Sequence, residues 1–228
     1  ASVIKSELMN LLAGYANVEN RPCGLDGKEE TDGAVHKLTQ ELEEVFRNDL
    51  DYELRMFDDN KLLGDWELTY STSFKFRRWQ AVLNSENTMG NINQVETDGL
   101  TQTFSYEASA NMRDYQMEEI YLPKFKLGEE RDIEDDDERG FRSTGSWAVG
   151  ITNNVVTGED DLVLKINVNS LEYDDKEGNI QTIPDMKPIE GQMARTFHYS
   201  YLAYIDDEVR IMRTGLNGFP VLIFERLK

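Results

Sequence analysis

Cysteine is almost absent from this chain: Cys23 is the single one in 228 residues. That excludes an internal disulfide framework and any multi-cysteine metal site. Histidine is nearly as scarce. His36 and His198 lie far apart in sequence, so the usual zinc ligand sets are hard to assemble and no metal is expected. Positive charge is also in short supply, 24 Lys+Arg against 44 Asp+Glu, a formal net charge of −20. Such a surface repels phosphate backbones, which argues against nucleic acid as a partner. It repels anionic lipid headgroups too, so any membrane contact must be local, apolar or mediated by a protein. No apolar run approaches the ~20 residues that a transmembrane helix needs. Methionine is missing from the first position. Ala1 reads as the start of a mature chain after loss of a targeting peptide, or as an edited terminus.

What is present is a core. Hydrophobic residues make up 39% of the chain and include ten Phe, ten Tyr and three Trp, so the charge excess does not imply disorder. The length suits one domain with an appendage, or at most two small domains.

The first sixty residues carry a helical period. Ile4, Leu8, Leu11, Leu12 and Tyr15 form one apolar stripe. Asn20-Arg21-Pro22-Cys23-Gly24 and the polar stretch to Gly33 break it. A second helix is expected from an Asp32 N-cap, with Val35, Leu38, Leu42 and Val45 on one face and Glu41, Glu43 and Glu44 on the solvated side. Leu50, Leu54 and Phe57 extend a helical face to the stop at Asp58-Asp59-Asn60.

From Lys61 the period changes to two. Trp66, Leu68 and Tyr70 alternate with polar residues, as do Phe104 and Tyr106, and Leu162, Leu164, Ile166 and Val168. Tyr199, Tyr201, Tyr204, Val209, Ile211, Val221, Ile223 and Phe224 supply the closing strands. About eight strands with almost no helix between them predict an antiparallel meander closed into a barrel. The division is an N-terminal helical segment over 1–60 and a barrel over 61–228. Glu129 to Gly140, with the acidic block Glu134 to Glu138, and Ile183 to Gly191 read as exposed loops. The acidic block lacks the spacing and the Gly hinge of an EF-hand, so it is read as a solvated loop.

Gly64-Asp65-Trp66 opens the first barrel strand. Glycine lets the chain bend while the indole closes one barrel end; in lipocalin-type barrels an arginine from the last strands lies over such a Trp, and Arg213 and Arg226 are the candidates that this likeness implies. Candidate lining residues for an apolar ligand are Trp66, Leu68, Tyr70, Phe104, Tyr106, Leu164, Ile166 and Tyr204. Alternation predicts only that each is buried and leaves open a ligand cavity or a filled core. Phe74-Lys75-Phe76-Arg77-Arg78-Trp79 is basic and aromatic within an acidic chain. Phe74, Arg77, Arg78 and Trp79 are therefore candidates for docking on a membrane or an acidic partner. Ordinary strand alternation produces the same pattern. No nucleophile elbow, Gly-rich phosphate loop, or histidine beside a Ser or Cys appears, and an enzyme is the least supported class. Cys23 lacks an identified base and His198 stands in an aromatic strand, so both are read as structural or incidental.

Three passages resemble the plastid lipid-associated proteins, or fibrillins. The first is Val35 to Tyr70, with Leu62-Leu63-Gly64-Asp65-Trp66-Glu67-Leu68-Thr69-Tyr70-Ser71-Thr72-Ser73 at its end. The second is Gly90-Asn91-Ile92-Asn93-Gln94-Val95. The third is Tyr204 to Arg213, closing on Val209-Arg210-Ile211-Met212-Arg213, followed by Gly218-Phe219-Pro220-Val221-Leu222. The chain departs from the family in having Arg47-Asn48-Asp49-Leu50-Asp51 where an Asn-Pro is typical, and in a longer, more acidic stretch from Asn111 to Gly140. The resemblance implies a lipocalin-like barrel without catalytic residues, located in the chloroplast or another plastid, peripheral to the thylakoid or plastoglobule. It implies an apolar lipid or pigment as partner, with carotenoid, chlorophyll or prenyl lipid as the class of bound molecule and no required cofactor. The alternative is a structural or assembly subunit docked on a photosynthetic membrane complex, a photosystem or antenna.

Overall fold

The computed structural model describes residues 1–15, 29–50, 58–72, 96–109, 112–124, 141–153, 158–174, 180–184, 199–214 and 220–228. Two helices lead. Helix α1 spans Ser2–Tyr15 and α2 spans Glu29–Leu50. Asp32, expected as an N-cap, lies inside α2. A short 3₁₀ helix, Asp59–Leu62, is capped by the Asp58 carboxylate, which accepts from the Asn60 N–H at 3.1 Å. Among the described residues nine strands follow: β1 Gly64–Ser71, β2 Glu96–Ser109, β3 Met112–Lys124, β4 Phe141–Asn153, β5 Asp160–Asp174, β6 Ile180–Pro184, β7 Tyr199–Ile205, β8 Val209–Thr214 and β9 Val221–Arg226. Ile183 and Pro184, expected as loop from the sequence, end β6. Proline is tolerated there because it stands at a strand terminus, where its missing N–H breaks no central ladder.

The sheet runs in the order β4-β3-β2-β1-β9-β8-β7-β5-β6, and β4 also pairs with β5. All described pairings are antiparallel. Eight strands therefore each have a neighbour on both sides, and the pairing returns on itself as an up-and-down barrel of the lipocalin-like kind. β6 is an extra ribbon on the later half of β5, whose earlier half meets β7 through Val163, Leu164 and Lys165.

Residues facing each other across a ladder share a face, so the registers separate two walls. Trp66, Leu68, Gln102 and Phe104 are linked by register with Phe224, Arg210 and Met212. They face inward. Tyr70, Ile211 and Ile223 face outward. On β7 and β8, on β1 from Leu68 and on β9 as far as Phe224 both walls are buried, because the helices pack on the outer one. Leu8 and Leu12 of α1 and Val35, Leu38, Leu42 and Phe46 of α2 join the same hydrophobic cluster as the barrel. Phe46 meets Tyr204 edge-on with ring centroids 5.8 Å apart. On the other side of the ring, Ser105, Glu107, Ala148, Lys165 and Asn167 are exposed. The barrel is half-wrapped.

Charged contacts fasten the wrap. Glu43, expected on the solvated side, accepts from Arg213 Nε at 2.6 Å and from Arg47 Nη2 at 3.0 Å. Arg47 continues to Asp161 and Glu159 on the barrel, each at 2.8 Å. Burial opposes the Arg47 charge, but Asp161 and Glu43 raise its pKa. In the first turn of α1, Lys5 reaches Asp206 at 2.7 Å and Glu208 at 2.9 Å.

Candidate functional site

The closed end of the barrel is built around Trp66, a fully buried side chain. Its indole Nε1 donates to the Leu62 carbonyl at 2.8 Å, tying β1 to the 3₁₀ helix. The Arg226 guanidinium lies 4.1 Å from the indole ring centroid. It donates from Nε to the Asp207 carbonyl at 2.8 Å, from Nη2 to the Lys61 carbonyl at 2.6 Å, and from Nη1 to the Leu63 carbonyl. One planar fork thus joins β9, the 3₁₀ helix and the turn between β7 and β8. Gly64 takes φ +106°, and a Cβ there would stand 2.9 Å from Arg226 Nη1. The positive φ favours glycine, and a side chain there would also press on the Arg226 fork.

Arg213, the other candidate for Trp66, is on the opposite wall and pairs with Glu43 of α2. A different arginine enters the interior. Arg210 is fully buried, with its guanidinium carbon 4.1 Å from the Phe224 ring centroid and 5.0 Å from those of Trp66 and Phe104. Its Nη2 donates to Gln102 Oε1. Sequence reasoning gives Arg210 no role. The available signal is its position one residue from Val209 and Ile211, on the face of β8 that Met212 shares.

Of the eight lining candidates, Trp66, Leu68, Phe104, Leu164 and Ile166 are buried on the inner wall, and Tyr106 lies half-buried farther along the same face of β2. Trp147 joins them: its ring meets Phe104 edge-on at 5.5 Å and its Nε1 donates to the Ser105 carbonyl at 3.0 Å. Tyr70 and Tyr204 do not line the interior. A bulge between Leu68 and Tyr70 moves Tyr70 into register with outward-facing Ile223. A second bulge between Leu202 and Tyr204 pairs Tyr204 with Ile211, and its ring packs on Phe46. The Tyr204 hydroxyl donates to Asp206 Oδ2 at 2.8 Å, and burial followed by that hydrogen bond raises its pKa.

No protein-family model, curated protein or solved structure matches the chain.

Phe74, Arg77, Arg78 and Trp79, together with Cys23, His198, the Gly90–Val95 passage and the acidic block 134–138, lie outside the described residues. Among the described residues, no three His, Cys, Asp or Glu side chains form a group able to hold a metal ion. No described helix is long and apolar enough to cross a membrane. Chemically, the arrangement offers an apolar interior over a rigid aromatic and guanidinium floor. Arg210, clamped between three rings and an amide, is suited to structure rather than to proton transfer.

Proposed function

We propose that this chain is a non-catalytic, fibrillin-like plastid lipid-associated protein that holds an apolar lipid or pigment in its barrel, at the thylakoid or plastoglobule surface. The observation that carries the reading is an antiparallel ring whose inner wall is apolar (Leu68, Phe104, Leu164, Ile166) above the floor of Trp66, Arg210 and Arg226. Small barrels with apolar linings suit one small ligand. The Gly64-Asp65-Trp66 opening and the Val209-to-Arg213 hairpin, two of the passages that resemble the fibrillins, both contribute to that floor.

Mild-detergent fractionation of the source thylakoids tests the reading, with lipids and pigments identified in the fraction that holds the chain. A small species carrying stoichiometric carotenoid or prenyl lipid is the expected result. Comigration with a large chlorophyll-containing complex, without bound lipid, replaces the carrier by a docked assembly subunit. In the same experiment, Arg77→Glu with Arg78→Glu is expected to release the protein from the membrane fraction. Unchanged retention removes that segment as the anchor.

A further inference from the structure

Three consecutive acidic residues, Asp206-Asp207-Glu208, make the turn from β7 to β8. Asp206 Oδ1 staples the turn from within, accepting from the Glu208 and Val209 N–H groups at 2.9 Å each. Its Oδ2 accepts from Lys5 Nζ at 2.7 Å and from the Tyr204 hydroxyl at 2.8 Å. Glu208 brings a second carboxylate to Lys5 at 2.9 Å. The backbone of the same turn serves a different partner. The Asp207 carbonyl accepts from Arg226 Nε and the Glu208 carbonyl from the Arg226 N–H, both at 2.8 Å. Side chains of the turn hold α1, and its carbonyls hold the arginine that lies over Trp66.

Of the two helices, α1 is the more lightly attached. Among the described side chains it buries Leu8 and Leu12 and leaves Ile4, Met9 and Leu11 half-buried. Helix α2 seats Val35, Leu38, Thr39, Leu42 and Phe46, and adds the enclosed pairs Glu43 with Arg213 and Arg47 with Asp161. Ordering the 14 residues of α1 on so few buried contacts puts it at the low end of local stability, where elements open on their own. Lys5 then carries weight beyond one ion pair. Its side chain is 20% exposed, so solvent screens its two contacts only in part. Without it, adjacent carboxylates in a chain of net −20 repel one another across the turn.

We infer that α1 is a strap on the closed end of the barrel, and that the β7–β8 turn transmits its position to the Arg226–Trp66 floor. With Lys5 seated, the turn is compact and the Asp207 carbonyl meets the Arg226 fork. With α1 lifted, Asp206 and Glu208 lose that cation, the turn spreads, and Arg226 loses its hold on Asp207. The fork is then left with the Lys61 and Leu63 carbonyls, both in the segment that leads into β1. It no longer ties that segment to the far side of the ring, and the floor opens more often. The device belongs to the barrel wall, so it goes beyond the carrier reading and holds equally for a docked subunit.

Hydrogen exchange of the tryptophan indoles in the full chain, followed by NMR, tests the coupling. Trp66 Nε1 donates to the Leu62 carbonyl and reports the floor, while Trp147 Nε1 donates to the Ser105 carbonyl and serves as the internal reference. Lys5→Met keeps the aliphatic stem and removes the charge. It is expected to speed Trp66 exchange roughly tenfold or more and to change Trp147 less than about twofold, and Lys5→Arg should restore slow exchange. Coupling between two sites is reciprocal, so Arg226→Lys is expected to speed exchange of the Leu8 and Leu12 amides of α1 by about threefold or more, with the Leu42 amide of α2 unmoved. Three results each overturn the strap: unchanged Trp66 exchange in Lys5→Met, equal acceleration at both indoles, or α1 amides indifferent to Arg226→Lys. None of them bears on the carrier reading, because the measurement asks nothing of a ligand.

Discussion

Arg226 lies with its guanidinium 4.1 Å from the centre of the Trp66 indole, and each of the two side chains also donates to a carbonyl of the segment just before β1. The contact is a joint rather than a simple stack. Trp66→Ala is expected to destabilise the protein by about 3–5 kcal/mol, as for large aromatic truncations in cores. Arg226→Lys keeps the charge and loses the fork, so a loss of about 2 kcal/mol is expected. Urea denaturation of both variants checks this, and an Arg226→Lys protein as stable as wild type would reduce the contact to charge alone.

Gly64 and Gly33 give opposite expectations for the same substitution. Gly64→Ala places a methyl against Arg226 in a positive-φ conformation, and should cost about 2 kcal/mol or more. Gly33 lies within α2, exposed, with open space where a methyl would stand, and Gly33→Ala should stabilise by about 0.5–1 kcal/mol. Thermal unfolding midpoints of the two variants should move in opposite directions.

The helices are expected to be part of the folding unit. Deleting residues 1–60 would bare an outer wall that includes Val209, Ile211, Val221 and Ile223, now covered, and the remaining barrel is expected to aggregate. A soluble, monomeric 61–228 fragment by size-exclusion chromatography would refute this.

Within the wrap, Glu43 matters more than its neighbours. The side chains of Arg213 and Glu43 are 9% and 16% exposed, and removing one partner of so enclosed a pair strands the other. Glu43→Ala should therefore destabilise by about 3 kcal/mol. Glu41→Ala, which loses an exposed contact to Lys37 at 3.8 Å, should change stability by less than about 0.5 kcal/mol. Comparing the two by chemical denaturation isolates the value of burial.

Asp206 gives the α1 contact a pH dependence. Burial works against its charge, but Lys5, the N–H groups of Glu208 and Val209, and the Tyr204 hydroxyl hold its pKa below the ordinary 3.8. Its contribution to stability is thus present above that value and lost as pH falls through the lower, folded one. Lys5 and Tyr204 shift the other way. Hydrogen bonds to Asp206 and then Glu208 raise Lys5, and burial then Asp206 raise Tyr204, so their contributions hold below their ordinary 10.5 and 10.0 and fade as pH rises further. The stability gap between wild type and Asp206→Asn should narrow from about pH 5 to about pH 2. Tyr204→Phe should flatten the alkaline loss. Thermal midpoints across both ranges provide the check.

Alternation makes the strands legible, and with them the antiparallel barrel. It fails at two particular residues for one reason. A constant period of two puts Tyr70 and Tyr204 on the inner wall, but each follows a bulge that inserts a residue and reverses its face. A bulge has no signature in hydrophobicity alone. Arg210 escapes notice for a different reason. An arginine between apolar residues normally faces water, but α1 and α2 occupy the outside of β8, so both faces of that strand are interior. Glu43 follows the same logic in reverse: it sits beside the apolar stripe of α2, where only the partner wall reveals Arg213 as its counter-charge. Helix position is readable from its own period. What each helix covers is not.

The pairing of β1 with β9 also governs when this protein can finish folding. Thr69 donates to the Ile223 carbonyl across a sequence separation of 154, and closing so long a loop precedes any reward from the contact. During synthesis, β1 emerges with its aromatic side chains and must wait for β9 before the ring can shut. In that interval Trp66 and the edge of β1 are unpaired and open to wrong partners.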